Sequence, residues 1–115
     1  MAYFFSDLND IKIFSADNLW NPDEQKEITE AVNAFIIEGK VKFIIDLSKV
    51  EHINSIGLSI LISMLTRLRS AGGDAVLCGI SENTKQLLLV TRLHNTFTVV
   101  NNMEEAVEFF QMSKA

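Results

Sequence analysis

Little in this sequence can support redox, metal or disulfide chemistry. Its single cysteine, Cys78, excludes an internal disulfide and a cysteine-based zinc cluster. The two histidines, His52 and His94, stand far apart with no cysteine or carboxylate pattern beside them. That is the arrangement of surface or capping residues rather than of metal ligands. Basic residues are scarce: ten Lys and Arg against fifteen Asp and Glu leave a formal charge of -5. No basic patch is visible that could hold nucleic-acid phosphates or an anionic membrane surface. The longest apolar-rich stretch, Ile56 to Leu65, is broken by Ser59 and Ser63 and is far short of a membrane span. Met1 to Asp7 carries no basic-then-apolar leader, so the cytoplasm is the expected compartment. A glycine-rich phosphate loop, a Ser-His-Asp set and paired catalytic carboxylates are also missing. None of these catalytic signatures stands out, and no cofactor is expected.

What remains is globular. The chain has 115 residues, 48% hydrophobic and 22% charged, which suits one domain over residues 1–115 with a single core. Tyr3 to Ser6 and Asp10 to Phe14 read as short strands around a turn at Leu8-Asn9-Asp10, with Ile11 and Ile13 alternating with polar neighbours. Asn18 to Asn21 reads as loop. Pro22 then opens a helix with Asp23 and Glu24 in its first turn, and Ile28, Ala31, Val32, Phe35 and Ile36 recur at helical spacing before Gly39. Lys42 to Leu47 is an apolar run suited to a strand covered on both faces. A second helix is predicted from about Ile56 to Ser70, a strand over Ala75 to Gly79, and a third helix over Glu82 to Leu93 with Leu87, Leu88 and Thr91 inward. A last strand follows at Phe97 to Val100, then a helix capped by Asn101 or Asn102 with Ala106, Val107 and Phe110 inward and Phe109 beside them. Strands alternating with helices imply an α/β layer fold: a mostly parallel central sheet, an N-terminal hairpin at one side and about four helices.

The second helix carries the most information. At about 100° per residue, Gly57, Ile60, Leu61, Met64, Leu65 and Leu68 fall on one side, and Ser59, Ser63, Thr66, Arg67 and Ser70 on the other. Leu58 and Ile62 widen the apolar arc to roughly 200°, beyond the roughly 100° that a surface helix needs. That fringe, next to Arg69, either packs under a neighbour or is left for a partner. Asn54-Ser55 stands directly before this helix. A serine there is either a cap for the free N–H groups or an acceptor of phosphate, whose charge the helix mouth favours. Asp46, at the end of a buried strand, has no acidic pair or late lysine to make it a receiver-type acceptor, so it reads as a turn-stabilising carboxylate. Trp20, in the loop before Pro22, is either exposed contact area or a lid on the core.

Several segments together resemble a STAS domain. They are the strand Phe43-Ile44-Ile45-Asp46-Leu47-Ser48, the segment Ile53-Asn54-Ser55-Ile56-Gly57-Leu58, the run Arg69 to Gly79 with its Gly72-Gly73 turn, and the closing Phe97 to Val100 with Met103 to Ala106. More narrowly, the chain resembles the bacterial anti-sigma factor antagonists. The resemblance implies a non-enzymatic switch. Its partner would be a serine kinase of the histidine-kinase-like ATPase fold, often itself the anti-sigma factor, which phosphorylates a serine at the start of the second helix and is thereby released. A PP2C-type phosphatase would reverse the modification. The acceptor maps onto Ser55. The implied docking surface is Asn54, Ser55, Ile56, Gly57, Leu58, Ser59, Ile62 and Arg69. The chain departs from the family pattern in three places. Asn54 replaces a frequent Asp, Ile56 replaces a frequent Ser or Thr, and Ala16-Asp17-Asn18-Leu19-Trp20 replaces the usual Gly-x-Leu-Asp. Such departures also suit a scaffold subunit that binds without being modified. A ligand- or lipid-handling module of the same fold is a third possibility.

Overall fold

The computed structural model describes residues 3–17 and 22–112. Trp20 and most of the Ala16 to Trp20 element lie outside them. Five strands and four helices follow one another as β1 (Tyr3–Leu8), β2 (Ile11–Ala16), α1 (Pro22–Ile37), β3 (Lys42–Asp46), α2 (Ser55–Ser70), β4 (Asp74–Cys78), α3 (Glu82–Val90), β5 (Thr98–Val100) and α4 (Met103–Met112). The strands lie side by side in chain order. β1 runs antiparallel to β2, and β2, β3, β4 and β5 are mutually parallel. The α/β fold, with its mostly parallel sheet and N-terminal hairpin, is the one the element order implies.

Period-two alternation sorts the central strands onto two cores. Phe43, Ile45, Ala75 and Leu77 join Ile28 and Val32 of α1 and Ile60, Leu61 and Leu65 of α2 on one face. Ile44, Val76 and Cys78 point the other way and are covered by Ala106 and Phe110 of α4. Parallel strands buried on both faces need continuous apolar sequence, which is why Lys42 to Asp46 and Asp74 to Cys78 read as unbroken runs.

Three local features differ from the sequence expectation. In β2 the polar residue between Ile11 and Ile13 does not face solvent. Lys12 shares the side of Phe14 and Ala16 and is itself buried. Its ammonium lies 4.1 Å from the centroid of the Phe35 ring and donates to Asp7 Oδ1 at 2.9 Å, so the buried charge keeps both a carboxylate and an aromatic face. α3 stops at Val90, short of Leu93. Arg92 takes a left-handed conformation with φ 63°, and Leu93–Asn95 forms a separate 3-10 turn. Thr91 is consequently exposed, its hydroxyl donating back to the Leu87 carbonyl at 2.7 Å. Thr84 and Leu88 are the buried residues of that helix. Finally, both hairpin strands are longer than expected, reaching Leu8 and Ala16.

Candidate functional site

The site grows from the carboxyl end of β3, where chain direction reverses and backbone groups come free. Asp46 holds the turn as expected, its Oδ1 accepting the Ser48 N–H at 3.0 Å. The buried Leu47 donates its N–H to the Cys78 carbonyl at 3.0 Å, extending the β3–β4 register past the last paired strand residue, and Val50 N–H returns to the Leu47 carbonyl at 3.0 Å. The loop then meets the next one: the Ser81 hydroxyl donates to the Glu51 carbonyl at 2.7 Å. Ser81 also accepts the Thr84 N–H at 3.2 Å, capping α3. The segment leading into α2 is thus tied to β4 and to the mouth of α3.

At the entry to α2 the cap is Asn54, not Ser55. Asn54 has extended backbone angles (φ -104°, ψ -174°), and its side chain accepts the Gly57 N–H at 2.9 Å. Its carbonyl takes the first intrahelical bond, from Leu58 N–H at 2.9 Å. Ser55 is therefore the first residue inside the helix. It is exposed, and among the described residues its hydroxyl has no hydrogen-bond partner. Of the two readings of this serine, the cap is taken by its neighbour. The first turn of α2 carries no acidic side chain. The N–H groups of Ser55 and Ile56 have no carbonyl one turn back to accept them, so the partial positive charge of the helix end is unopposed there.

The other residues of the expected surface separate by depth. Ser55, Ser59, Ile62 and Arg69 form one exposed stripe along α2. Thr66, four residues after Ile62 and exposed, completes it. Thr66 lies on the polar side of the helix, and its i+4 spacing from Ile62 places it on this row as well. Leu58 and Ile56 are half-buried and pack against the main core. Ile62 is 36% exposed. The fringe therefore divides: Leu58 is under cover and Ile62 is left out. Gly57 is buried, beneath the surface rather than on it. Arg69 sits about 21 Å along the axis from Ser55 and is paired with Asp74 at 3.0 Å. It flanks the far end of the stripe.

Elsewhere the chemistry is quiet. Among the described residues no group of three or more His, Cys, Asp or Glu side chains could hold a metal ion, and His52 and His94 are both exposed. Cys78 is buried, and burial together with the charge of Asp46 pushes its thiol up to about 11, far from a reactive thiolate. No described helix is long and apolar enough to cross a membrane. A cavity of about 180 Å³ at the ends of β2 and β3 is lined by Ser15, Asp17, Asp46, Ser48 and Lys49 among others. Tyr3 and Phe4 at the start of β1 also line it.

The sequence profile described as the STAS domain matches residues 9–106. BtrV of Bordetella bronchiseptica, assigned as an anti-sigma factor antagonist, is 23% identical over 91 residues, spanning 79% of this chain and 78% of BtrV. The crystal structure of a Thermotoga maritima protein with the same assignment superposes with a TM-score of 0.82 at 24% identity, covering 92% of each chain. The anti-sigma factor antagonist SpoIIAA in its unphosphorylated form superposes with a TM-score of 0.75 at 12% identity, over 99% of this chain and 100% of that one. Bacillus SpoIIAA in its phosphorylated form gives 0.70 at 14% identity, over 95% and 99%. At these identities the structural matches establish the fold.

Proposed function

The chain belongs to the STAS domain family, and on that premise we propose that it is an anti-sigma factor antagonist acting by partner switching in the cytoplasm. It binds a serine kinase of the histidine-kinase-like ATPase fold, itself an anti-sigma factor, through the mouth and exposed stripe of α2. Phosphorylation of Ser55 ends that complex, and a PP2C-type phosphatase restores it. The naming of BtrV and SpoIIAA as anti-sigma factor antagonists supports the partner class. That SpoIIAA exists in phosphorylated and unphosphorylated forms supports the switch.

The observation that carries the reading is the Ser55 hydroxyl: exposed, with no partner among the described residues, and on the first turn of a helix whose cap is supplied by another residue. A phosphate there adds about 1.5 to 2 negative charges. It meets free N–H groups and no acidic side chain within the turn, so the fold tolerates it. A partner packed over the same spot does not, because the contact gains charge and bulk at its centre. Asn54 keeps the capping oxygen that an Asp would offer without adding a negative charge beside the phosphate. Ile56 is explained by packing, since it is turned partly into the core. Neither departure requires an unmodified scaffold.

Binding to the cognate kinase tests this. Ser55→Ala should hold the kinase with or without ATP. Ser55→Asp should bind at least about tenfold more weakly, roughly 1.4 kcal/mol. Equal affinity of both variants would overturn the switch.

A further inference from the structure

Among the described residues the sheet has two edges that no further strand covers, and they are built differently. β5 has only three residues, and a short edge offers little to pair with. β1 is six residues long, Tyr3–Leu8, and forms the opposite edge. Its guards are few: no proline, and one charge, Asp7, which is paired with Lys12 at 2.9 Å and Lys40 at 3.6 Å. Its core side is occupied, with Phe5 packed 5.1 Å from the rings of both Phe14 and Phe35. Its other side is covered less: Phe4 is 54% exposed and Leu8 37%.

We propose that β1 pairs antiparallel with β1 of a second copy of this chain, joining two sheets into one of ten strands. The register follows from three constraints. First, a two-residue loop closes on a hydrogen-bonded pair, here Leu8 and Ile11. Alternation then directs the backbone of Leu8, Ser6 and Phe4 toward β2 and that of Phe5 and Asp7 outward. Second, directly opposed residues must share a face, so a two-fold axis can pass only through a residue. Third, an axis at Asp7 would oppose two carboxylates, and an axis at Phe5 would leave Leu8 without a counterpart. An axis through Ser6 sets Phe4 against Leu8 of the second copy, twice over, and Phe5 against Asp7. It uses the outward N–H and C=O groups of the last two. Both exposed apolar side chains are covered and the two Asp7 carboxylates stay apart. The self-complementarity of this row selects a second copy over an unrelated strand, because an isologous contact requires one patch to match itself.

The axis makes the test sharp. A non-hydrogen-bonded antiparallel pair brings Cα atoms to about 4.5 Å, within the range of roughly 4.4–6.8 Å for a disulfide. Ser6→Cys should therefore cross-link to itself under mild oxidation. Phe4→Cys, whose two copies would be about 14 Å apart along the strands, should remain a thiol. The native Cys78 is buried and does not compete. Sedimentation velocity should show a concentration-dependent dimer for the unmodified chain. The Phe4→Lys/Leu8→Lys double variant should be a monomer that keeps the far-UV circular dichroism spectrum of the unmodified chain. A chain monomeric up to millimolar concentration overturns the proposal. So does a dimer in which Ser6→Cys cross-links no faster than Phe4→Cys, since the contact would then lie elsewhere.

Discussion

The side-chain oxygen of Asn54 accepts the Gly57 N–H at 2.9 Å, and this bond frees the serine that follows from structural duty. Had Ser55 been the cap, its hydroxyl oxygen would already be engaged by the helix N–H groups. With Asn54 in that role, the hydroxyl can change charge while the helix start stays closed.

Asn54→Ala should cost about 1 kcal/mol, a fall in melting temperature of roughly 4 °C for a domain of this size. Asn54→Asp should keep the cap. Ser55→Ala should leave the melting temperature almost unchanged, because its hydroxyl bonds nothing among the described residues. A thermal denaturation series of the three variants checks the order; a larger loss for Ser55→Ala than for Asn54→Ala would reverse the assignment.

Acid sensitivity should come in part from the hairpin. The hydrogen bond from Lys12, together with the charges of Lys12 and Lys40, holds the Asp7 carboxyl below its ordinary value near 3.8. A lowered folded-state value contributes stability above the unfolded value, and that contribution is lost as pH falls through the folded one. The melting temperatures of the unmodified chain and Asp7→Asn should therefore differ most above about pH 4 and converge at lower pH. A constant offset across the acid range would contradict the pairing.

Gly73 marks the closest backbone approach in the α2–β4 turn. A Cβ on it would overlap the Val41 carbonyl oxygen and lie 2.5 Å from the Val41 Cβ, while Val41 accepts the Asp74 N–H at 3.0 Å. Gly73→Ala should cost about 2–3 kcal/mol by overpacking. Gly72→Ala meets no atom within 4 Å but must keep a φ of 88°, and should cost about 1–2 kcal/mol. Urea denaturation of the two variants separates them.

The buried face of α2 was fully legible because one helix on one sheet obeys a single period: all six residues placed inward by angle are buried. The strands β3 and β4 were legible for a related reason, since burial on both faces leaves no polar interruption. Lys12 was not, because alternation in a short strand is ambiguous when its polar residue lies on the side of Phe14 and Ala16. Only a matching carboxylate and ring, brought from β1 and α1, make that position habitable for an ammonium. The end of α3 was hidden because Arg92 adopts a glycine-like conformation that its sequence does not advertise. At the site, two polar residues at a helix start do not reveal which of them caps. That depends on backbone angles at Asn54 and on where the Gly57 N–H points.

The central claim is most directly measured by incubating the chain with its cognate kinase and ATP. Phosphate is then located by peptide mass mapping while the complex is followed by size-exclusion chromatography. One phosphate on Ser55, appearing in step with loss of the complex, is the predicted result. Phosphate on another residue, none at all, or a complex that persists with Ser55 fully modified would contradict it.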